Sequence, residues 1–324
     1  MINFEDSIFV AGHKGLAGSA ICRALLRKGY KNLITVSKAQ LNLKDQKEVK
    51  DWFEYKKPNI VILAAAKVGG ILANNKYPYD FLIDNILIET NVIQASYENK
   101  VKRLLFLSSS CAYPKVCKQP IKEEYLMSSS LEKTNESYAL AKLTGMKLCE
   151  SLRVQNNFDS FSLMPTNLYG LGDNYDVNTS HVFASLIRKF VLAKENSLKE
   201  VVCWGDGSPK REFLHVDDLG DACVFCLENF KPLSLENSNE NSFSNSFLNV
   251  GTGKDISIYD LANLIKEKTG FKGNIKWDKT KPNGTLLKKL DIEKLRSMGW
   301  APKLTLDDGL TRSINEFKKL EGIK

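Results

Sequence analysis

Residues 7–28 read SIFVAGHKGLAGSAICRALLRK, and this stretch decides the fold. An apolar run ends at Gly12, and Gly12, Gly15 and Gly18 form a G-x-x-G-x-x-G pattern that leads into a helical pattern over Ser19–Lys28. Glycines permit a tight turn and let the backbone approach a pyrophosphate, while the helix N-terminus offers free N–H groups and partial positive charge. Because a strand and a helix flank the loop as this geometry requires, the stretch predicts a dinucleotide-binding unit.

The same alternation continues along the first half of the chain. Apolar runs at Leu33–Val36, Asn59–Ala66 and Arg103–Ser110 are separated by helical patterns at Lys47–Tyr55 and about Asp84–Asn99. Near-continuous apolar strands joined by helices indicate a parallel sheet that is covered on both faces. We therefore predict an α/β fold, in which a Rossmann-type doubly wound parallel sheet is followed by a smaller C-terminal α/β substrate domain.

The second half of the chain has a looser pattern. A helix from Glu136 to about Gln155 leads into a strand, SFSLMPTNLYG, and HVDDLGDACVFCLENF predicts a helix with Asp217 and Asp218 as N-terminal caps. The polar, low-complexity segment Lys231–Ser246 predicts a mobile surface excursion. Further elements are expected at FLNVG (a strand), Ile258–Thr269 (a helix), KPNG (a turn) and Leu306–Lys319 (a helix).

Composition narrows the class of protein. The 324 residues carry 46 Lys+Arg against 38 Asp+Glu, a net charge of +8, without a block of like charges, which favours an anionic ligand or an unspecific basic surface over nucleic acid. Seven scattered cysteines do not suggest a disulfide framework, and reduced thiols fit the cytoplasm. Cys223 and Cys226 lie inside a predicted helix and are expected to pack in the core, so no metal site is predicted. No apolar run is long enough for a transmembrane helix.

The end of the second predicted strand indicates which nicotinamide cofactor binds. An enzyme that uses NAD usually places Asp or Glu there, on the ribose 2′-hydroxyl. This chain has Val36, Ser37 and Lys38 instead. No carboxylate would repel a 2′-phosphate, and Lys14 and Lys38 offer charge to neutralise one, although both lysines would also be ordinary on a solvated surface. The sequence favours NADPH.

A candidate catalytic set follows the fourth predicted strand. Tyr138 and Lys142 are four residues apart on a predicted helix and share a face, and Ser108, Ser109 and Ser110 end a sheet strand where ligands bind in such folds. Reduction of a ketone needs hydride at carbon and a proton at oxygen. A nearby ammonium favours the phenolate of a tyrosine, and a serine hydroxyl can hold the carbonyl oxygen. We expect Tyr138 to donate the proton, Lys142 to tune it and hold the cofactor ribose, and Ser109 to orient the ketone.

With these residues in place, the chain resembles the extended short-chain dehydrogenase/reductases, and most of all the GDP-L-fucose synthase family of GDP-4-keto-6-deoxymannose 3,5-epimerase/4-reductases. The matching stretches cover nearly the whole chain: AGHKGLAGSAI, AAAKVGGI, SSSCAYPK, NESYALAKLTGMKLCES, MPTNLYG, SHVFASLIRKF, WGDGSPKREFLHVDD and NVGTG. The resemblance implies a homodimer, NADPH, and a GDP-linked 4-keto sugar. It also implies that residues 1–165, with 212–250 returning to them, bind NADPH, while 166–211 and 251–324 bind the GDP-sugar.

The resemblance also implies site residues. Cys111 and His181 correspond to the acid/base pair for epimerisation, in which the 4-keto group acidifies the protons on C3 and C5. The residues expected at the cofactor are Gly12, His13, Lys14, Gly15, Leu16, Gly18, Ser37, Lys38, Ser108, Lys142, Pro165, Thr166, Asn167, Leu168 and His181. Those expected at the substrate are Ser110, Asn167, Lys189, Trp204, Arg211 and Asn283.

The match departs from the family pattern at KPNGTLLKKLD, residues 281–291. The family pattern is closer to KPDGTPRKLLD, so Asn283 replaces an acidic residue expected at the nucleotide sugar, and Leu286–Leu287 replace a Pro–Arg pair. The sugar therefore stays open between a 6-deoxyhexose and a heptose, with or without epimerisation. A sugar-nucleotide 4-epimerase or dehydratase that retains its cofactor is a second hypothesis. A non-catalytic dinucleotide sensor or nucleic-acid-binding protein is a third, which the Ser–Tyr–Lys set argues against.

Overall fold

The computed structural model describes residues 1–232, 242–281 and 283–323. Its strands are β1 (Ile8–Ala11), β2 (Leu33–Ile34), β3 (Ile60–Leu63), β4 (Arg103–Leu107), β5 (Ser160–Pro165), β6 (Asn167–Tyr169), β7 (Glu200–Trp204), β8 (Lys210–His215), β9 (Phe247–Val250), β10 (Asp255–Ser257), β11 (Asn274–Asp278) and β12 (Leu287–Lys288). Its α-helices are α1 (Leu16–Lys28), α2 (Gln46–Lys56), α3 (Ile71–Lys76), α4 (Pro78–Glu98), α5 (Glu136–Asn156), α6 (Val182–Glu195), α7 (Val216–Asn229), α8 (Ile258–Thr269), α9 (Glu293–Ser297) and α10 (Leu306–Leu320).

A central parallel sheet confirms the predicted fold class. Six strands lie in the order β2-β1-β3-β4-β5-β9, and every pairing between neighbours is parallel. Alternate residues of each strand face opposite sides, so Ile8 and Val10 pack under α1 and α7, whereas Phe9 and Ala11 pack under α2, α4 and α5. Because both faces are covered, these strands are mainly apolar, as the sequence predicted, and polar residues such as Arg103 and Asn249 are buried among them.

A second layer of structure follows β5. Strands β10, β8 and β12 form a small sheet, with β6 also paired to β8, and β7 pairs with β11. Helices α6, α8 and α10 enclose a separate apolar cluster around Phe183, Phe190 and Phe213. One boundary between the two proposed units was predicted from the sequence at residue 212. In the structure this residue, Glu212, lies inside β8 and pairs with Asp255 of β10.

Three local expectations are corrected by the structure. The second strand ends at Ile34 instead of Val36, and SFSLMPTNLYG is divided at Thr166, because β5 pairs with β9 whereas β6 turns to pair with β8. The N-cap of α7 is His215, whose Nδ1 accepts the Asp217 N–H at 3.2 Å.

The two carboxylates predicted as caps of α7 have other partners. Asp217 pairs with Arg23 at 2.6 Å, and Asp218 accepts the N–H groups of Lys303 and Leu304, both at 3.0 Å. These bonds tie α7 to α1 and to the segment before α10. The sequence could not distinguish them from caps, because acidic residues in the first turn of a helix fit either role.

Further expectations concern the cysteines of α7, membrane-spanning helices and the polar segment Lys231–Ser246. Cys223 and Cys226 are fully buried in α7, as predicted, and the described residues contain no group of side chains suited to a metal ion. Among the described helices, none combines the length and apolar character needed to cross a membrane. Of the polar segment Lys231–Ser246, residues 233–241 lie outside the described residues.

Candidate active site

The glycine loop forms a cradle that larger residues would fill. Gly12 has φ +88°, and a Cβ there would lie 2.7 Å from Ala65 N. A Cβ on Gly18 would lie 2.1 Å from Gly12 O, so the start of α1 passes directly over the loop. The first turn of α1 carries no acidic residue and no side-chain cap, which keeps its N–H groups available. The loop therefore fits the pyrophosphate of a dinucleotide.

The adenosine end of this cradle lies beyond β2. Ser37 Oγ donates to Gln40 Oε1 at 2.8 Å, while Lys14 and Lys38 are exposed. An open groove beside them is lined by Val36, Gln40 and Trp52, among others. Residues 36–38 thus offer a hydroxyl and a cation, and no carboxylate, after the end of β2.

The Ser–Tyr–Lys set is assembled at the carboxyl end of β4. Ser109 lies two residues beyond the end of the strand, and α5 places Tyr138 and Lys142 one turn apart on the face that packs against β4 and α4. The Tyr138 ring meets the edge of Phe81 with 6.4 Å between centroids. Burial raises the pKa of the Tyr138 phenol, Cys111 and Glu89 raise it further, and the hydrogen-bonding hydroxyl of Ser109 opposes the rise.

Lys142 is held inside the protein. Its Nζ donates to the Leu107 carbonyl at 3.0 Å and lies 3.0 Å from Glu89 Oε1 and 5.9 Å from the centre of the Tyr138 ring. The buried Ser108 Oγ nearby has no hydrogen-bond partner in the described part of the chain. A buried hydroxyl without a partner marks a place where a bound group would be satisfied, which agrees with the expectation that Ser108 and Lys142 meet the cofactor.

Cys111 sits in the 3-10 turn Ser110–Ala112 that follows this strand. Its backbone N–H donates to Ser109 Oγ at 3.2 Å, so the turn fixes both side chains relative to each other. The Ser110 side chain is buried within the turn, although the sequence placed it at the substrate. A small polar cavity opens beside Cys111, lined among others by Lys115, Gln119, Glu132, Asn135, Thr285 and Lys288.

His181 occupies the N-cap position of α6, in a different part of the chain. The loop before it is fixed by Gly70, whose N–H donates to Thr179 O at 3.1 Å, and a Cβ on Gly70 would lie 2.8 Å from Ser180 O. His181 is exposed at the surface, and desolvation by the surrounding protein lowers the pKa of its imidazole. A lowered pKa favours the neutral form, which a general base requires.

Residues 165–168 connect the two sheets. Pro165 ends β5, and the Thr166 hydroxyl and the Asn167 amide both donate to the Glu212 carbonyl, at 3.2 and 2.8 Å. Leu168 packs partly into the core beneath α1 and α7. The structure therefore gives these residues a structural role at the junction, at the same edge of the sheet as Ser108.

The predicted nucleotide residues lie on separate elements of the second layer. Trp204 ends β7 with 44% of its surface exposed, and the ammonium groups of Lys189 and Lys281 each lie 5.7 Å from its ring centre. Arg211 on β8 passes beside Gly284, where an added Cβ would meet its guanidinium at 3.2 Å. Burial lowers the pKa of Arg211, and Cys111 and Glu132 raise it, which places the guanidinium near the Cys111 cavity.

Asn283, which the sequence predicted at the substrate, makes a hydrogen bond to the turn after Trp204. Its Oδ1 accepts the Asp206 N–H at 3.0 Å, and a Cβ on Gly205 would lie 2.2 Å from the same oxygen. The side chain therefore fixes the turn that follows Trp204. An aspartate in the same position would supply the same acceptor, so the replacement of an acid by Asn283 preserves this contact.

Sequence reasoning missed two residues of the site. Lys281 was assigned only to a turn, and no local pattern placed it over Trp204. Glu89 is fully buried under Lys142, and its only signal is a single carboxylate within the apolar segment NILIETNVI. That signal was available, because acidic residues are rarely fully buried without a partner.

Comparisons with known proteins agree with this arrangement. Residues 8–236 match the model of the NAD dependent epimerase/dehydratase family. The GDP-L-fucose synthase 1 of Arabidopsis thaliana is 51% identical over 98% of this chain and 95% of its own length. The GDP-L-fucose synthase of Escherichia coli K12 is 46% identical, with 97% of each chain covered. Among solved structures, the GDP-mannoheptose C4 reductase of Campylobacter jejuni, with NADP bound, is 34% identical and superimposes with a TM-score of 0.87 over 98% of this chain and 100% of that one.

The similarity to these relatives covers nearly the whole chain and agrees with the fold and the site described above. The chain belongs to the NAD-dependent epimerase/dehydratase family and, within it, to the GDP-L-fucose synthases.

Proposed function

We propose that this protein reduces the 4-keto group of a GDP-linked 4-keto sugar of the GDP-4-keto-6-deoxymannose type with NADPH, and that it epimerises C3 and C5 beforehand. The observation that carries the proposal is the joint placement of Ser109, Tyr138 and Lys142 at the carboxyl end of β4. Relatives named GDP-L-fucose synthase at 46–51% identity over nearly the full chain support the substrate class.

NADPH is supported by three features. The cradle of Gly12, Gly15 and Gly18 leaves room for a pyrophosphate. Lys14, Ser37 and Lys38 would hold the 2′-phosphate where a carboxylate would hold NAD. The Campylobacter reductase was solved with NADP bound. We assign Lys142 and Ser108 to the nicotinamide half, with Pro165–Leu168 beside it and His13 and Leu16 beside the loop.

Reduction follows from the positions of three side chains. When bound, NADPH supplies the hydride for C4. Ser109 donates a hydrogen bond to O4 and stabilises the charge that develops there. Tyr138 gives its proton to O4, which it can do across the physiological range because its raised pKa keeps the phenol protonated. Lys142 stabilises the phenolate that remains.

Epimerisation needs two groups that exchange protons with C3 and C5. Cys111 lies two residues after Ser109, and His181 lies at the N-cap of α6, so the two groups would reach the sugar from different elements. Removal of a proton by one group and its return by the other from the opposite face inverts the carbon. The Arg211 guanidinium near Cys111 would stabilise negative charge on the thiol or on the enolate.

The GDP portion is assigned to the second layer. Trp204 offers an aromatic face, Lys189 and Lys281 offer charge, and Arg211 can clamp a phosphate. We propose that residues 1–165 with 212–250 hold NADPH and that 166–211 with 251–324 hold the GDP-sugar. Ser110, Asn167 and Asn283 would support that site through the backbone they fix.

Assembly and location complete the proposal. We propose a homodimer, as the resemblance to the GDP-L-fucose synthases implies. Seven free cysteines support the reducing cytoplasm. The scattered positive charge gives no support to nucleic-acid binding.

A second candidate is C4 reduction of a GDP-4-keto-heptose without epimerisation. The polar cavity beside Cys111, with Glu132, Lys115 and Lys288 in its lining, favours a sugar that carries extra hydroxyl groups. The similarity to the GDP-mannoheptose C4 reductase points the same way.

One experiment separates these candidates. The protein is incubated with NADPH and a panel of GDP-linked 4-keto hexoses and heptoses in D2O, and the products are analysed by NMR. Deuterium at C3 and C5 that disappears in Cys111→Ser supports epimerisation at this site. Reduction without deuterium in the unaltered protein supports the second candidate, and failure to consume NADPH with any sugar contradicts both.

A further inference from the structure

A single carboxylate lies beneath the catalytic set, and none of the roles assigned above uses it. Glu89 is in the middle of α4 with no exposed surface, and its Oε1 lies 3.0 Å from Lys142 Nζ. At this distance, and with both side chains buried, Glu89 meets Lys142 as an ion pair.

The surrounding structure keeps space for this group. Gly145 lies one turn beyond Lys142 on α5, and a Cβ there would stand 2.8 Å from Glu89 Oε2 and 2.5 Å from the Phe106 ring. A carboxylate without solvent is costly, and a well-packed apolar side chain would usually be as stable or more stable in its place. Stability alone therefore does not explain Glu89.

The geometry connects Glu89 to the proton donor through Lys142. The Lys142 ammonium is held from two sides, by the Leu107 carbonyl of β4 and by Glu89 of α4. Its Nζ also lies 4.7 Å from the centre of the Phe106 ring. A flexible four-carbon side chain held in this way has one position relative to Tyr138.

The same carboxylate acts on Tyr138 by charge. The titratable groups that act on Tyr138 are Cys111, from the turn after β4, and Glu89, from α4, and both raise the pKa of the phenol. On Glu89 itself, burial raises the pKa and Lys142 lowers it, and Glu89 also raises the pKa of Cys149 on α5. The negative charge of Glu89 therefore offsets part of the positive charge that Lys142 presents to Tyr138.

We propose that Glu89 is a positioning residue for reduction: its carboxylate anchors the Lys142 ammonium and offsets part of its charge, so that Tyr138 keeps its proton until hydride is transferred. The proposal rests on the roles assigned to Tyr138 and Lys142 above. Tyr138 must carry its proton at that moment, since it gives the proton up to O4.

The test is the pH profile of Glu89→Gln, which removes the charge and preserves the shape. Without the carboxylate, one of the charges that raise the pKa of Tyr138 is gone, so Tyr138 loses its proton more readily beside the unbalanced ammonium. We expect the high-pH limb of kcat for NADPH oxidation to move to lower pH by about one unit, and KM for NADPH to rise while KM for the GDP-sugar stays constant.

Two matched variants make the result specific. Glu123→Gln removes another buried carboxylate, which accepts the Asn249 N–H at 3.0 Å, and should lower thermal stability without moving the limb. Glu89→Asp retains the charge and should move the limb less than Glu89→Gln, and it also serves if Glu89→Gln does not fold. If the high-pH limb of kcat is unchanged in both Glu89 variants while Tyr138→Phe is inactive, the inference about Glu89 is overturned and the roles of Tyr138 and Lys142 stand. An active Tyr138→Phe overturns the proposed roles instead.

Discussion

The proposed cofactor side and the proposed substrate side of this protein are built in different ways. The proposed cofactor side uses one glycine loop and one helix pair, and its closest contacts are backbone contacts, such as Gly18 over Gly12 O, or buried ones, such as Lys142 with Leu107 O. The proposed substrate side gathers Lys189, Trp204 and Arg211 from three elements, and Trp204 is exposed. The proposed chemistry therefore lies where the packing is dense, and the proposed nucleotide contacts lie nearer the surface.

The sharpest test of the buried side is Tyr138→Phe. The change removes the proton donor and leaves the ring against Phe81, so reduction should fall by about 10²–10⁴-fold while the fold is retained. Steady-state NADPH oxidation measures the loss, and NADPH fluorescence measures binding, which should be unchanged. Activity near the original level would show that the proton comes from another group.

The glycine cradle offers a matched pair of variants. In Gly18→Ala the new Cβ would meet Gly12 O at 2.1 Å, so the loop must shift, at a cost of about 1–3 kcal/mol in the free energy of unfolding. In Gly15→Ala the nearest contact is 3.4 Å, which is ordinary packing, and little stability should be lost. Urea denaturation without cofactor compares the two. Equal losses would mean that close backbone approach is not what selects glycine here.

On the substrate side, Arg211→Ala should raise KM for the GDP-sugar by about tenfold or more, because a charge-assisted hydrogen bond contributes about 1.5–3 kcal/mol. KM for NADPH should not change. The neighbouring exposed Lys210→Ala is the control, and it should have little effect on either constant. A rise in KM for NADPH instead would place Arg211 on the cofactor side of the cleft.

The smallest effect on KM for the GDP-sugar is expected at Asn283, where the chain departs from the family pattern. Asn283→Asp keeps the acceptor for the Asp206 N–H, so KM for the GDP-sugar should stay within about twofold, whereas Asn283→Ala loses a hydrogen bond of about 1 kcal/mol. Steady-state kinetics on both variants give the comparison. A large effect of Asn283→Asp would show that the side chain reads the sugar directly.

Local sequence patterns were enough to find the glycine loop and the Ser–Tyr–Lys set. The glycine spacing, the Tyr138–Lys142 spacing and the serines after β4 need only one or two adjacent elements, so periodicity and chain order were enough to find them. The caps of α7 were predicted wrongly, because Asp217 and Asp218 are committed to Arg23 and to residues 303–304, which are distant in sequence. The contact of Lys281 with Trp204 was missed for the same reason.

The sequence by itself determined the doubly wound sheet, the dinucleotide loop and the residue types of the catalytic set, because each depends on short-range periodicity and backbone freedom. Only the tertiary structure decided that Glu89 underlies Lys142, that Asn283 fixes the turn after Trp204, and that Arg211 lies near Cys111. These contacts join segments that are far apart in sequence, and their partners are chosen by packing geometry and by the cost of burying a charge without a partner.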